Sequence, residues 1–272
     1  MRIRAYVDIL RPMNGVMASL GVMIGAILAG VGTPLPLEFF TAVAIAFMIS
    51  GAGMIVNDYF DYYIDRVNRP NRVLPSGKIS RGAARLYAAS LYIVSNLLAI
   101  SLLNTYLVTL TFFNSLVTYF YAEKLKKRPV GHVAIGWLTA SAFLYGGLIF
   151  GSVRPLVLLL AAMAFFTNIS REIVKAVEDM RGDKMYSVRS LPLTIGVAGS
   201  RQIAAILAVI AIIFSFIPVI LHKLSAYYFP IMVVADAMFA YAIIIMGSPS
   251  RSQRMMKLAM LVAIFAFLAG LA

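Results

Sequence analysis

Cysteine is absent from the 272 residues, and histidine occurs only as His132 and His222. The first absence excludes disulfides, thiolate metal sites and a cysteine nucleophile. The second leaves no pair at ligand spacing, which argues against a histidine-built zinc centre. Charge is also scarce, at 13% of residues, where a soluble domain carries about 25%. Acids are the rarer sign: 11 Asp and Glu stand against 24 Lys and Arg, for a net charge of +13. No serine-hydrolase pattern, glycine-rich nucleotide loop or CxxC pair occurs. What fills the chain is apolar, 61% of residues, with a mean hydropathy of +0.88.

A membrane-crossing helix needs roughly 20 apolar residues, and runs of that kind occupy most of the sequence. They fall at 13–31, 37–63, 84–103, 105–121, 132–150, 154–177, 200–221, 227–246 and 256–271. Asn104 separates the third from the fourth, and the last is short. The pattern predicts an all-α, polytopic membrane helix bundle with nine transmembrane helices. The run from Met13 is too long for a signal-peptide core and reads as a retained first helix.

The basic residues test that register. Alternate connections carry Arg2, Arg4 and Arg11; Arg66 to Arg85; Lys124 to Arg128; Arg171 to Arg201; and Arg251 to Lys257. These hold 22 of the 24 basic residues, and only Arg154 and Lys223 fall on the opposite side. The positive-inside rule then places the N-terminus in the cytoplasm and the C-terminus outside, in a multi-pass protein of the cell membrane. The positive charge is thereby explained by topology, and no nucleic-acid partner is implied.

Two acidic clusters break the apolar pattern. In Asn57-Asp58-Tyr59-Phe60-Asp61-Tyr62-Tyr63-Ile64-Asp65, a helix places Asn57, Asp61 and Asp65 on one face with Asp58 flanking it. Such a group is costly at the end of an apolar helix. A solvated helix end would not explain a purely acidic repeat, whereas a divalent cation does: Mg²⁺ takes hard oxygen ligands and needs few from protein when phosphates supply the rest. The second cluster, Asn168 to Asp183, contains Arg171, Glu172, Lys175, Glu178, Asp179 and Asp183, with Gly182 expected to loosen or end the helix. Both clusters fall at cytoplasmic helix ends, which points to one site where metal bridges to a diphosphate.

The basic side chains nearby are Arg72, Lys78 and Arg81, then Lys124, Lys126, Lys127 and Arg128. Most such loop residues anchor topology or attract anionic headgroups. Arg171 and Lys175 differ, because they sit among the acids and suit a phosphate. The loop Asn68 to Lys78 is rich in turn formers and is expected to fold over the site as a lid. Asp236, alone in the eighth run, has no evident partner in the sequence.

The sequence resembles the UbiA-type intramembrane prenyltransferase superfamily. The first family pattern, N-D-x-x-D-x-x-x-D, is met by Asn57, Asp58, Asp61 and Asp65; the second, D-x-x-x-D, by Asp179 and Asp183. Arg171 stands four residues before Lys175, where many relatives carry tyrosine. The resemblance implies a single intramembrane prenyltransferase domain over 1–272, its helices around a laterally open apolar cavity. It implies Mg²⁺-dependent transfer from a prenyl diphosphate, with Asn57, Asp61, Asp179 and Asp183 on the metal. Asp58, Asp65, Arg171 and Lys175 would complete the catalytic set, and Arg72, Lys78, Arg171 and Lys175 would bind phosphate. The proton acceptor would be Asp58, Asp65 or the departing diphosphate.

The stretch Asp65 to Ser80, with Val73-Leu74-Pro75-Ser76-Gly77-Lys78 at its centre, is similar to the archaeal ether-lipid branch of the superfamily. That branch implies geranylgeranyl diphosphate as donor and geranylgeranylglyceryl phosphate as acceptor, both reached through membrane lipid, with no obligate protein partner. The alternatives are an aromatic prenyltransferase acting on a 4-hydroxybenzoate-like acceptor for quinone or chlorophyll-type products, and an ion-binding transporter without enzyme activity.

Overall fold

The computed structural model describes residues 2–32, 34–151, 153–185 and 189–271, with the backbone alone at 2 and 181–185. Among the described residues every regular element is helical. In chain order these are α1 (Arg2–Leu10), α2 (Pro12–Leu28), α3 (Leu37–Phe60), α4 (Tyr62–Asn68), α5 (Arg81–Ser101) and α6 (Thr105–Glu123). There follow α7 (Gly131–Leu148), α8 (Pro155–Met185), α9 (Leu191–Ser215), α10 (Ile217–Ile220), α11 (Tyr228–Ile244) and α12 (Pro249–Ala269).

Each of the nine apolar runs falls on a long helix. Among the described residues six helices are long and apolar enough to cross a membrane, or up to seven if α1 and α2 count as one bent span. The helices α6 and α7 are not among them; they carry polar side chains, several of which bond to neighbouring helices. Thr111 shares a hydrogen bond of 2.8 Å with Tyr145, Asn114 donates to Ser141 at 3.0 Å, and Asn96 donates to Ser115 at 3.1 Å. Polar pairs of this kind join helices where water is absent.

Boundaries follow local chemistry. Ser80 caps α5 by accepting from the Ala83 amide, and Asn104 caps α6 by accepting from Tyr106 and Leu107. Asn104 also donates to the Leu148 carbonyl at 2.9 Å, so this separator is a tertiary joint as well. Gly30, at φ 83°, ends α2. Contrary to expectation, α8 runs on through Gly182 to Met185; one helical glycine costs only about 1 kcal/mol. The last helix begins at Pro249, earlier than its apolar run, because Arg251, Arg254 and Lys257 lie on its first turns.

The contacts divide the chain into two compact units, Met1–Leu125 with Ser141–Val153, and Lys126–Ala140 with Arg154–Ala272. In the first unit, α3 packs against α2, α5 and α6. The approach of α2 to α7 depends on glycine. A Cβ on Gly25 would strike the Phe143 carbonyl, and one on Gly146 the Val22 carbonyl. In the second unit α8 packs on α9 and α12, and α11 on α12. There Asp236 does have a partner: Ser215 Oγ donates to it at 2.7 Å, and the Tyr228 hydroxyl donates to the Ser215 carbonyl at 2.7 Å.

Candidate active site

The first acidic cluster closes α3 and opens α4. The helix is interrupted at Asp61, and this sorts the four side chains into two pairs by contact. Asn57 donates to Asp61 at 3.1 Å, and both are half-buried. Asp58 and Asp65 are buried, with side-chain exposures of 4% and 7%. Of the three residues expected on one face, Asn57 and Asp61 are hydrogen-bonded to each other and Asp65 is paired with Arg72.

Two arginines account for the buried acids. Arg72 lies 2.6 Å from Asp65 and 3.4 Å from Asp58. Arg11, from the break between α1 and α2, is bonded to the same Asp58 oxygen. Buried charge is tolerated when it is paired and hydrogen-bonded, so two carboxylates and two guanidinium groups form one compensated cluster. In the sequence Arg11 reads only as a topology anchor. The signal that distinguishes it is its position directly before Pro12, where the basic segment meets the apolar run.

The connection after α4 is held in place at several points. Val73, Leu74 and Ile79 are buried among Ala5, Ile9, Ile55, Val56, Ala84, Ala88 and Ala122. With Arg72 on the two acids as well, the segment is a plug set into the unit, lying against the acidic turn and fastened there by its apolar residues. The turn formers shape the loop, as in Gly77 with φ 73°, while the apolar residues between them fasten it. Lys78 is exposed at the end of this segment. Outside the cluster, Arg81 stacks over Tyr59, Tyr62 and Tyr63 at 4.7, 4.9 and 5.4 Å from the ring centroids. These cation–π contacts fix the α3–α4 turn from a second direction.

In the second unit, Arg171 donates to Glu172 at 2.5 Å and to Asn168 at 3.3 Å, and Lys175 lies 3.6 Å from Glu172. Two of the four cations expected to bind phosphate, Arg171 and Lys175, thus flank one carboxylate. Asp179 is exposed on the same helix, and the Asp183 side chain lies outside the described residues. Glu178 accepts from Ser250 at 2.5 Å and from Gln253, which ties the end of α8 to the start of α12.

Among the described residues no three His, Cys, Asp or Glu side chains gather in metal-binding geometry. Asn57 and Asp61 nonetheless fit Mg²⁺ by donor type, since each carries a hard oxygen and the two half-buried side chains are in contact, with the Asn57 amide nitrogen turned toward Asp61. They would supply few ligands, as suits an ion whose other ligands come from phosphate.

Known proteins give the context. Digeranylgeranylglyceryl phosphate synthase of Methanothermobacter thermautotrophicus is 39% identical over 97% of this chain and 95% of its own. A solved structure reported for digeranylgeranylglyceryl phosphate synthase in membranes has a TM-score of 0.89 at 34% identity, covering 99% of this chain and 98% of that one. A UbiA homolog from Archaeoglobus fulgidus bound to DMAPP and Mg²⁺ shares the fold, with a TM-score of 0.71 at 19% identity over 98% of both chains. Residues 18–269 match the description of the UbiA prenyltransferase family, and the chain belongs to that family.

Proposed function

We propose that the chain transfers a geranylgeranyl group from geranylgeranyl diphosphate to the free hydroxyl of geranylgeranylglyceryl phosphate. The bond from C1 to the diphosphate oxygen breaks, an ether bond forms to the acceptor oxygen, and the hydroxyl proton is released. The products are digeranylgeranylglyceryl phosphate and diphosphate. The observation that carries this reading is near-full-length similarity to relatives of that activity at 34–39% identity. The stretch Asp65 to Ser80 points the same way.

In this reading the chain works as one domain with nine spans, opening sideways to lipid so that both tails arrive without crossing water. The N-terminus and the site face the cytoplasm. Of the metal set that the family patterns imply, Asn57, Asp61, Asp179 and Asp183, the first two stand in contact on the first unit and would hold Mg²⁺ against the diphosphate. The ion, when bound, neutralises charge on the leaving group and so weakens the C1–oxygen bond. Arg171, Lys175 and Lys78 hold phosphate oxygens. Arg72 stands apart from them, because its contacts to Asp58 and Asp65 give it an orienting part. The same pairing occupies oxygens of both acids, so the departing diphosphate is the better acceptor for the hydroxyl proton.

Asp61→Asn and Asp179→Asn test the metal assignment. Each should abolish transfer while the purified protein keeps its thermal midpoint. Full activity in either variant removes that residue from the site.

A further inference from the structure

We infer that Arg11 is a positioning residue for the metal-bearing turn of α3, acting through Asp58. The inference rests on the prenyl-transfer reading of the Asn57–Asp61 pair. Arg11 sits at the break between α1 and α2, which meet at a bend of 51°. Its backbone has φ 49° and ψ 67°, a left-handed conformation that non-glycine residues seldom adopt. Such a conformation persists when surrounding contacts hold it, and here they are visible on both sides. Ala5 and Ile9 of α1 are 4% and 1% exposed in the apolar cluster that also takes Leu74 and Ile79. On the other side, the guanidinium is bonded to Asp58 and lies 4.0 Å from the Met54 sulfur.

Asp58 follows Asn57 directly and precedes Asp61 by three residues. Fixing its carboxylate fixes the rotation of the last turn of α3 about the helix axis, and with it the direction of the Asn57–Asp61 pair. Arg72 reaches the same oxygen from the loop at 3.4 Å. Asp58 is therefore held between the N-terminal hinge and the plug. In this arrangement Arg11 touches no reacting atom; it sets where the metal ligands stand.

The test uses the full-length protein in detergent as Arg11→Gln, Arg11→Lys, Asp58→Asn and the double variant Arg11→Gln/Asp58→Asn. Two readouts are taken: kcat and KM for prenyl transfer, and the thermal-midpoint shift produced by Mg²⁺ with inorganic pyrophosphate. Arg11→Gln should lower kcat by about ten- to a hundredfold, the scale of a misplaced catalytic group, with KM for the acceptor within about twofold. The pyrophosphate-induced shift should shrink by more than about half, since it reads the same misplaced ligands without any chemistry. The double variant should be no worse than Asp58→Asn alone, because the two residues act as one unit. Should Arg11→Gln fail to fold, Arg11→Lys carries the test: its shorter ammonium should preserve folding while losing part of both readouts.

Wild-type kcat and a full pyrophosphate shift in Arg11→Gln, or in Arg11→Lys when only that variant folds, would overturn the inference. So would additive losses in the double variant. Wild-type protein run alongside separates the two claims. If it transfers no prenyl group, the functional reading falls; if it transfers normally while the losses are additive, only the role of Arg11 falls.

Discussion

Removing Arg72 should destabilise the first unit by an amount that its contacts allow to be worked out. The guanidinium lies 2.6 Å from Asp65 and 3.4 Å from Asp58, with side-chain exposures of 20%, 7% and 4% for the three residues. Arg72→Ala takes away the cation seen on Asp65 and leaves Asp58 with Arg11. Breaking a buried ion pair from one side costs about 3–5 kcal/mol. Water reaches one-fifth of the arginine, so the lower end applies, about 3 kcal/mol. At roughly 2–4 °C per kcal/mol for a chain of this size, the thermal midpoint should fall by roughly 6–12 °C. The assay is thermal unfolding of the detergent-solubilised protein, free of substrate and metal. Arg72→Ala/Asp65→Asn should recover about half the loss or more, because the stranded charge goes with its partner. A midpoint shift below about 2 °C in the single variant, or a double variant that loses the sum of the two singles, would refute the reasoning.

Three further outcomes follow from the geometry. Gly146→Ala should cost about 3 kcal/mol, because the new methyl meets the Val22 carbonyl and no rotamer relieves a backbone clash; Gly82→Ala, in open space on the first turn of α5, should instead gain about 0.5–1 kcal/mol. Thermal midpoints of the two variants check the opposite signs. Leu74→Ala should cost about 2–5 kcal/mol, since the side chain is 2% exposed within the apolar cluster; a loop acting as a free flap would lose almost nothing. Chelation with EDTA should stop product formation, and added Mg²⁺ should restore it, as measured by counting prenylated product.

Much of the architecture was legible because hydropathy reports directly on membrane helices. Nine apolar runs fall on nine long helices among the described residues, and the first acidic pattern straddles the end of α3 and the start of α4, while the second begins well inside α8. Where the reading stopped, the missing information was long-range. Helical periodicity grouped Asp65 with Asn57 and Asp61, but the partner that sorts the acids is Arg72, seven residues on, together with Arg11 from 47 residues earlier. No local rule links Arg11 to Asp58. The loop after α4 read as polar because its turn formers outnumber Val73, Leu74 and Ile79, although those three decide where it packs. Ser215 was likewise invisible as the partner of Asp236, since the two lie on different helices. The break at Arg11 is hidden for a similar reason: the basic residues from Arg2 to Arg11 have the composition of a topological flank, while Ala5 and Ile9 one turn apart give α1 a buried face.

The measurement that bears most directly on the proposed reaction is a product assay with the purified protein, Mg²⁺ and geranylgeranyl diphosphate, in which geranylgeranylglyceryl phosphate and 4-hydroxybenzoate compete as acceptors. The account predicts digeranylgeranylglyceryl phosphate as the product, with the aromatic acid untouched. A prenylated ring in its place would contradict the ether-lipid reading while leaving the fold and family standing, and no prenylated product at all would contradict the enzymatic reading itself.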